Sequence, residues 1–499
     1  MTVYNINKGI GWASSGVEYA QAYRASVFRE LAIPTKFIFT DFFQHENIQH
    51  LTSNIGFQDD EIIWLYSFFT DIKIAPTTYS VLEFEQTLQE SVKRVSEGEH
   101  FIRYRHEEKD LTITTYLRKD NPDCVQRVEY LSKDVLVRKD YFTYTKVFTE
   151  YYAPKGDQAH LYQRTFFNED GSVAYVENAD NDQKLYHFKD QIIYSTERLI
   201  GLMLERLELS SEDILILDRA TGIGPAVLRH RGPSKVAVVI HAEHYNVNST
   251  TDDHILWNNY YDYQFTNADN IDVFITSTKE QSKTLAKQFK KYTNHDPKIV
   301  TIPVGSLASL RCPEDFRHPF SLLTCSRLAS EKHVDWLVRA VCLARESLPE
   351  LQFDIYGSGG QEDKLRTLIE SKKAGHYIRL MGHQDLTDVY QQYEVYLSAS
   401  TSEGFGLTLL EAIGSGLPII GFDVPYGNQT FVTSGKNGYL IPRSDVDDVD
   451  DYVKLFAEAI VALYKTQVLE SYQQFSYQRA EEFLQDKIVA RWRQFIKET

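Results

Sequence analysis

Cysteine is scarce and unpatterned in this chain of 499 residues. Cys124, Cys312, Cys325 and Cys342 form no Cys-x-x-Cys pair, and four falls far short of a disulfide-stapled secreted scaffold. Reduced structural thiols are expected. Positive charge is also short: 53 Lys and Arg face 70 Asp and Glu, a formal net charge of −17. Such a chain repels polyanions unless a local basic patch overrides the field, so no nucleic-acid role is expected. No apolar run approaches the roughly 18 residues of a spanning helix. Met1-Thr2-Val3-Tyr4-Asn5 places no basic region ahead of an apolar one. A cytoplasmic protein is expected, with peripheral contact at the inner face of the cell membrane left open. Repeats and low-complexity tracts are missing. Metal-ligand spacing is missing too: the run Asp445 to Asp451 contains Asp-x-Asp by density alone and reads as solvated surface.

What is present is enough apolar material, 42% hydrophobic and 13% aromatic, to pack two or three domains and exclude disorder. From Phe320 onward, short apolar runs alternate with helical patterns. Ser321 to Cys325, Phe353 to Tyr356, Ile378 to Met381, Val395 to Ser398 and Pro418 to Phe422 read as parallel strands. Helices are expected over His333 to Arg345, Glu362 to Leu368, Leu386 to Tyr393 and from Leu407, which makes a doubly wound nucleotide-binding domain. Val3 to Ile6, Lys36 to Phe39, Ile214 to Leu217, Val236 to Ile240, Val273 to Thr276 and Ile299 to Ile302 suggest a second such sheet.

That sheet is interrupted. Between about residues 80 and 200 the period changes to two: Ile102, Tyr104 and His106 alternate with Arg103 and Arg105. Turn chemistry at Pro154-Lys155-Gly156-Asp157 and Asn168-Glu169-Asp170-Gly171 separates aromatic-rich runs, so an inserted antiparallel β domain is expected. Its aromatic faces are either its own core or a docking surface. The expected division is 1–79 plus 201–305 for an N-terminal Rossmann-like domain, 80–200 for the insert and 306–480 for a C-terminal Rossmann-like domain. A closing helix over 481–499 then packs back on the N-terminal domain.

The most informative stretch is Ser400-Thr401-Ser402-Glu403-Gly404-Phe405-Gly406-Leu407-Thr408-Leu409-Leu410-Glu411, a strand end joined to a helix start. Gly404 and Gly406 let the backbone approach a ligand, and free amides at the helix start attract an anion such as a diphosphate. Eight residues make slightly more than two helical turns, so Glu411 shares a side with Glu403 and can grip another polar part of one long ligand. Further patches accompany it. Gly9 to Glu18 leads into a helix, where Ser15 and Glu18 also have capping-box spacing. His241 ends a buried strand, either as a satisfied structural group or as a sugar ligand, with Glu243 and His244 as weaker candidates. Arg327 and Lys332 follow the strand Ser321 to Cys325 and suit a developing diphosphate charge, or else form an exposed basic pair. Gly382, His383 and Gln384 follow another strand and either meet a base or cap a helix starting at Asp385.

Together these patches resemble the retaining glycosyltransferases of the GT-B fold, in which a Glu, seven residues and a second Glu bind a nucleotide-sugar. The resemblance implies two Rossmann-like domains with the antiparallel β-sheet domain inserted in the N-terminal half. It places Gly16, with Ser15, at donor phosphate and acceptor, and His241 against the donor sugar. Arg327 and Lys332 fall to the leaving diphosphate, and Gly382, His383 and Gln384 to the nucleobase. Glu403 falls to sugar hydroxyls, the amides of Gly404, Phe405, Gly406, Leu407 and Thr408 to sugar and phosphate, and Glu411 to ribose. No cofactor and no metal is implied, because the chain's cations replace magnesium. Transfer is by the front face, with retention.

The N-terminal patch, the His241-Ala242-Glu243-His244 segment and the β insert bring the resemblance closer, to the catalytic subunits of bacterial protein O-GlcNAc transferases that modify serine-rich repeat adhesins before accessory Sec export. These imply UDP-N-acetylglucosamine as donor, Ser/Thr-rich adhesin polypeptide as acceptor and a related inactive co-activator docked through the β insert. A wall teichoic acid α-GlcNAc transferase and a non-catalytic co-activator or chaperone subunit are the alternatives. Net charge disfavours the first, and the presence of Arg327, Lys332, Glu403 and Glu411 disfavours the second.

Overall fold

Parallel strands covered on both faces bury their side chains on both sides, and the strands Ser321–Cys325, Val395–Ser398 and Ile419–Phe422 do so at every residue. The computed structural model describes residues 1–12, 15–156, 158–180, 184–314, 316–443 and 448–499. The chain divides into two units, Met1–Val238 with Tyr263–Ile271, and Val239–Asp262 with Asp272–Thr499.

In the first unit, Val3–Asn7 pairs in parallel with Thr35–Phe39 and with Ile214–Leu217. Ile62–Trp64 extends this sheet beyond Thr35–Phe39, and Lys235–Ile240 extends it beyond Ile214–Leu217. Three residues carry no readable period, so the pattern of the sequence does not reveal Ile62–Trp64. Inserted in this unit are ten antiparallel strands, from Lys93–Gly98 to Ile192–Ile193, each hydrogen-bonded to the next in chain order. Ile102, Tyr104 and His106 are buried while Arg103 and Arg105 are exposed, as a period of two demands. The aromatic runs are core: Tyr141 stacks on Phe148 at 4.3 Å and Phe166 on Tyr175 at 4.4 Å, and each of the four is buried.

The second unit is built on a six-stranded parallel sheet in the order Ile378–Gly382, Gln352–Tyr356, Ser321–Cys325, Val395–Ser398, Ile419–Phe422, Gly438–Ile441. Leu322, Ile355, Leu397 and Ile420 enter one core, and Leu323, Tyr356, Tyr396 and Ile419 enter the other. Both faces are thus sealed, and the chain's free loops gather at the strand ends. Val273–Thr276 and Ile299–Thr301 form a further parallel pair in this unit. The helix Gln485–Glu498 also belongs here and buries Ile488, Val489, Trp492 and Phe495.

One expected helix is not formed. Leu386 to Tyr393 holds only a 3-10 turn, Tyr390–Gln392, because the Asp385 carboxylate takes the Thr387 N–H at 2.9 Å and its hydroxyl at 2.6 Å. This side-chain turn competes with the helical ladder. His383 and Gln384 therefore precede a turn and cap no α-helix. In the acidic run, 445–447 lie outside the described residues, and Asp448 caps the helix Val449–Lys465. Asp157 of the Pro154 turn also lies outside them, as do Ala13 and Ser14 of the N-terminal patch. The four cysteines are unpaired, and no described helix is long and apolar enough to cross a membrane.

Candidate active site

The carboxyl end of the strand Val395–Ser398 runs through Glu403 and Gly404 into the helix Leu407–Gly414. The first helical bond runs from the Leu410 N–H to the Gly406 carbonyl at 3.0 Å, so the amides of Leu407, Thr408 and Leu409 have no intrahelical acceptor. Those amides form the positive end of the helix dipole. Gly406 sits at φ +86°, where a side chain is strained, and turns the chain into the helix. Gly404 serves a different need. A Cβ there would lie 2.5 Å from the carbonyl oxygen of His241, so only glycine admits that strand end so close.

Lys332 reaches the same place from the strand Ser321–Cys325. Its Nζ donates to Glu403 Oε2 at 2.8 Å, and both side chains are about one-fifth exposed. The Glu403 carbonyl accepts the amides of Tyr426 and Gly427 at 2.8 and 2.9 Å, which fixes its backbone while the carboxylate faces Lys332. Arg327, by contrast, is open to solvent: its side chain is 75% exposed and among the described residues pairs only with Glu331, at 3.1 Å. Such a pair contributes little stability and leaves the guanidinium available.

Glu411 is half-buried and accepts the Tyr390 hydroxyl at 2.8 Å. Burial pushes its carboxyl above the usual range, against the Tyr390 bond and the Arg311 charge. His383 and Gln384 are exposed, and Gln384 donates back to the Met381 carbonyl at 2.8 Å. Phe405 is buried against Phe431 and Phe483, so its ring is core and only its backbone faces the loop. Ser15 and Gly16 belong to the first unit. There Ser15 caps the helix Gly16–Glu30 in a capping box with Glu18, and its Oγ accepts from Arg219 at 2.7 Å. His241 follows its strand directly, and its amide donates to the Tyr261 hydroxyl at 3.0 Å. His244 is fully buried between Gln288, at 2.7 Å, and the Tyr426 hydroxyl, at 3.1 Å, and burial lowers its pKa to about 4. It is a neutral core group at physiological pH.

The second unit thus brings Lys332, Glu403, Gly404 and the His241 backbone together, with Arg327 in the same loop as Lys332 and with Gly382, His383 and Gln384 at the end of the edge strand, two strands away from Ser321–Cys325. Among the described residues no group of three His, Cys, Asp or Glu side chains converges as metal ligands. Residues 319–466 match the family described as "Glycosyl transferases group 1", and residues 94–190 match the "GtfA extended beta-sheet domain". The GtfA subunit of the UDP-N-acetylglucosamine–peptide N-acetylglucosaminyltransferase of Streptococcus agalactiae is 58% identical over 498 residues, covering 100% of this chain and 98% of its own.

This chain belongs to the GtfA family. Two GtfA structures agree in fold over its whole length. The pneumococcal O-GlcNAc transferase GtfA in complex with UDP and GlcNAc has a TM-score of 0.92 at 54% identity, and a GtfA/B complex has 0.97 at 53%; each match covers 100% of this chain and 99% of the other. TarM, at 18% identity and a TM-score of 0.76, shares the fold. GtfA family membership accounts for both the GT-B architecture and the β insert.

A further glycine loop adjoins the Arg327 loop. Gly357-Ser358-Gly359-Gly360 follows the strand Gln352–Tyr356, and its Ser358 carbonyl accepts the Leu328 amide at 2.9 Å, lacing it to the Arg327 loop. Its signal was the one used elsewhere, glycines directly after an apolar strand. Glu243 was a weak candidate and lies beside Ser402. Burial raises its carboxyl pKa against the Ser402 hydrogen bond and the Arg443 charge.

Proposed function

We infer that this chain transfers N-acetylglucosamine from UDP-N-acetylglucosamine to Ser/Thr hydroxyls of a polypeptide, with the serine-rich repeat adhesins as acceptor class. The full-length likeness to a GtfA that holds UDP and GlcNAc is the observation that carries this reading. The paired Lys332 and Glu403 beside free helix amides give it a chemical basis.

Breaking the bond between the anomeric carbon and the diphosphate loads negative charge on the leaving oxygen. Arg327 and Lys332 stabilise that charge more in the transition state than in the ground state, and each charge-assisted contact contributes about 1.5–3 kcal/mol. The amides from Gly404 to Thr408 receive phosphate and sugar, Glu403 and His241 orient sugar hydroxyls, and Glu411 holds the ribose. Gly382, His383 and Gln384 surround the base, with Ser15 and Gly16 on the phosphate and acceptor side. The leaving phosphate takes the acceptor hydroxyl's proton on the same face, which retains configuration. No metal enters this scheme. A related inactive co-activator docks through the β insert of residues 80–200, in a cytoplasmic setting at the inner face of the membrane.

The test is UDP release and mass spectrometry with a Ser/Thr-rich polypeptide, the co-activator and a panel of UDP-sugars, in chelator-treated buffer. Incorporation of N-acetylhexosamine with an α-linkage is expected. Turnover that vanishes on chelation and returns with magnesium removes the metal-free scheme. Equal transfer to teichoic acid removes the acceptor assignment.

A further inference from the structure

The antiparallel sheet of the first unit holds a hollow that no step above uses. It measures about 1090 Å³, counting its open mouth, and is lined by Phe84 and Leu88 beside the strand residues Ile113, Tyr130 and Phe142. That size suits a small organic ligand. Its lysines and arginine are Lys109, Arg138 and Lys146, and its one carboxylate is Asp140.

That carboxylate is already taken. Arg138 Nε donates to Asp140 Oδ1 at 2.8 Å, its terminal nitrogen donates to Oδ2, and Thr149 Oγ1 donates to Oδ1 at 2.6 Å. Lys109 Nζ donates to Gln89 at 3.2 Å. Lys146 is left over: it is half-buried, 4.1 Å above the Phe167 ring, and among the described residues it has no hydrogen-bond acceptor or ion-pair partner. Burial and the Arg138 charge hold its ammonium below the ordinary lysine pKa, with Asp140 opposing them. A desolvated ammonium without an acceptor is costly, and an anion in the hollow removes that cost. Aromatic walls at Tyr130 and Phe142 suit a planar body.

We propose that this hollow binds an oxyanion carried on an aromatic or apolar body, held by Lys146 and Arg138 against Tyr130 and Phe142. Phosphate and carboxylate share the required chemistry. The full chain, saturated with UDP, is titrated calorimetrically with phenyl phosphate and with benzoate. A separate UDP titration reports on the donor site, so the two readings fail independently.

At least one probe should bind, and Lys146→Met should weaken it tenfold or more while Lys146→Arg restores it. Phenyl phosphate binding tighter assigns a phosphate ligand, and benzoate binding tighter assigns a carboxylate. Leu88→Trp fills the hollow without altering charge and should abolish binding, which decides the matter where Lys146→Met does not fold. Absence of binding by both probes, or equal affinity in wild type and K146M, overturns the proposal.

Discussion

Lys332 and Glu403 stand 71 positions apart in the chain and meet at 2.8 Å, one from the loop after Ser321–Cys325 and the other from the loop after Val395–Ser398. Sheet order explains this, since those two strands are direct neighbours. Each side chain is therefore the other's counter-charge, and in the proposed scheme each is also a ligand group. Lys332→Met should lower kcat about ten- to hundredfold, as loss of one charge-assisted contact implies. Because it also strands Glu403, K332M with Glu403→Gln should cost less than the sum of the two single changes. A double-mutant cycle on kcat/KM checks this, and strict additivity would refute the coupling.

Arg327 makes the opposite case. Its exposed pair with Glu331 contributes at most about 1 kcal/mol to folding. Arg327→Ala should leave Tm within about a degree or two of wild type while turnover falls about ten- to hundredfold. Melting curves and initial rates on one preparation test both halves.

Gly404→Ala places a methyl group 2.5 Å from the His241 carbonyl, which backbone must yield to admit. Overpacking of this kind costs about 1–3 kcal/mol. A drop in Tm is expected, with a larger loss of donor affinity because the Glu403 loop moves too. Unchanged UDP affinity by calorimetry would show that the loop tolerates the shift.

Glu411 has a raised pKa from burial, so its charged form burdens the fold. A carboxyl raised in the folded state adds stability below its ordinary pKa of 4.5 and loses it as pH rises through the folded value. Glu411→Gln should therefore melt higher than wild type at pH 7, with the gap closing below pH 4.5, while UDP binding weakens about tenfold. Both are read from pH-dependent melting and a UDP titration.

His244 sets an acid limit. Its folded pKa near 4 lies below the ordinary 6.5, so the unfolded chain binds the proton first as pH falls. Stability is full above 6.5 and declines toward pH 4 by up to about 1.4 kcal/mol per pH unit from this group. His244→Gln should lower Tm at pH 7 yet flatten its fall between pH 6.5 and 4. An unaltered slope would assign the acid response to other groups.

The sequence by itself determined most of the parallel strands, though not Ile62–Trp64 or Gly438–Ile441, and it marked the Glu403 loop. Leu322 and Leu323, or Leu397 beside Tyr396, read as apolar runs because a sheet covered on both faces must bury every residue. Ile102, Tyr104 and His106 announced the change to an antiparallel insert because period two is local. Glycines after strands marked the Glu403 loop for the same reason. Ile62–Trp64 escaped because it is too short for a period, and Leu386 to Tyr393 misled because apolar spacing does not register the Asp385 turn. Only the tertiary structure decided that Lys332 answers Glu403, that His241 offers its carbonyl to Gly404, that Phe405 is core and that His244 is sealed and neutral. Those facts depend on which strands become neighbours and how deeply side chains are desolvated, and neither property is written in the spacing of residues along the chain.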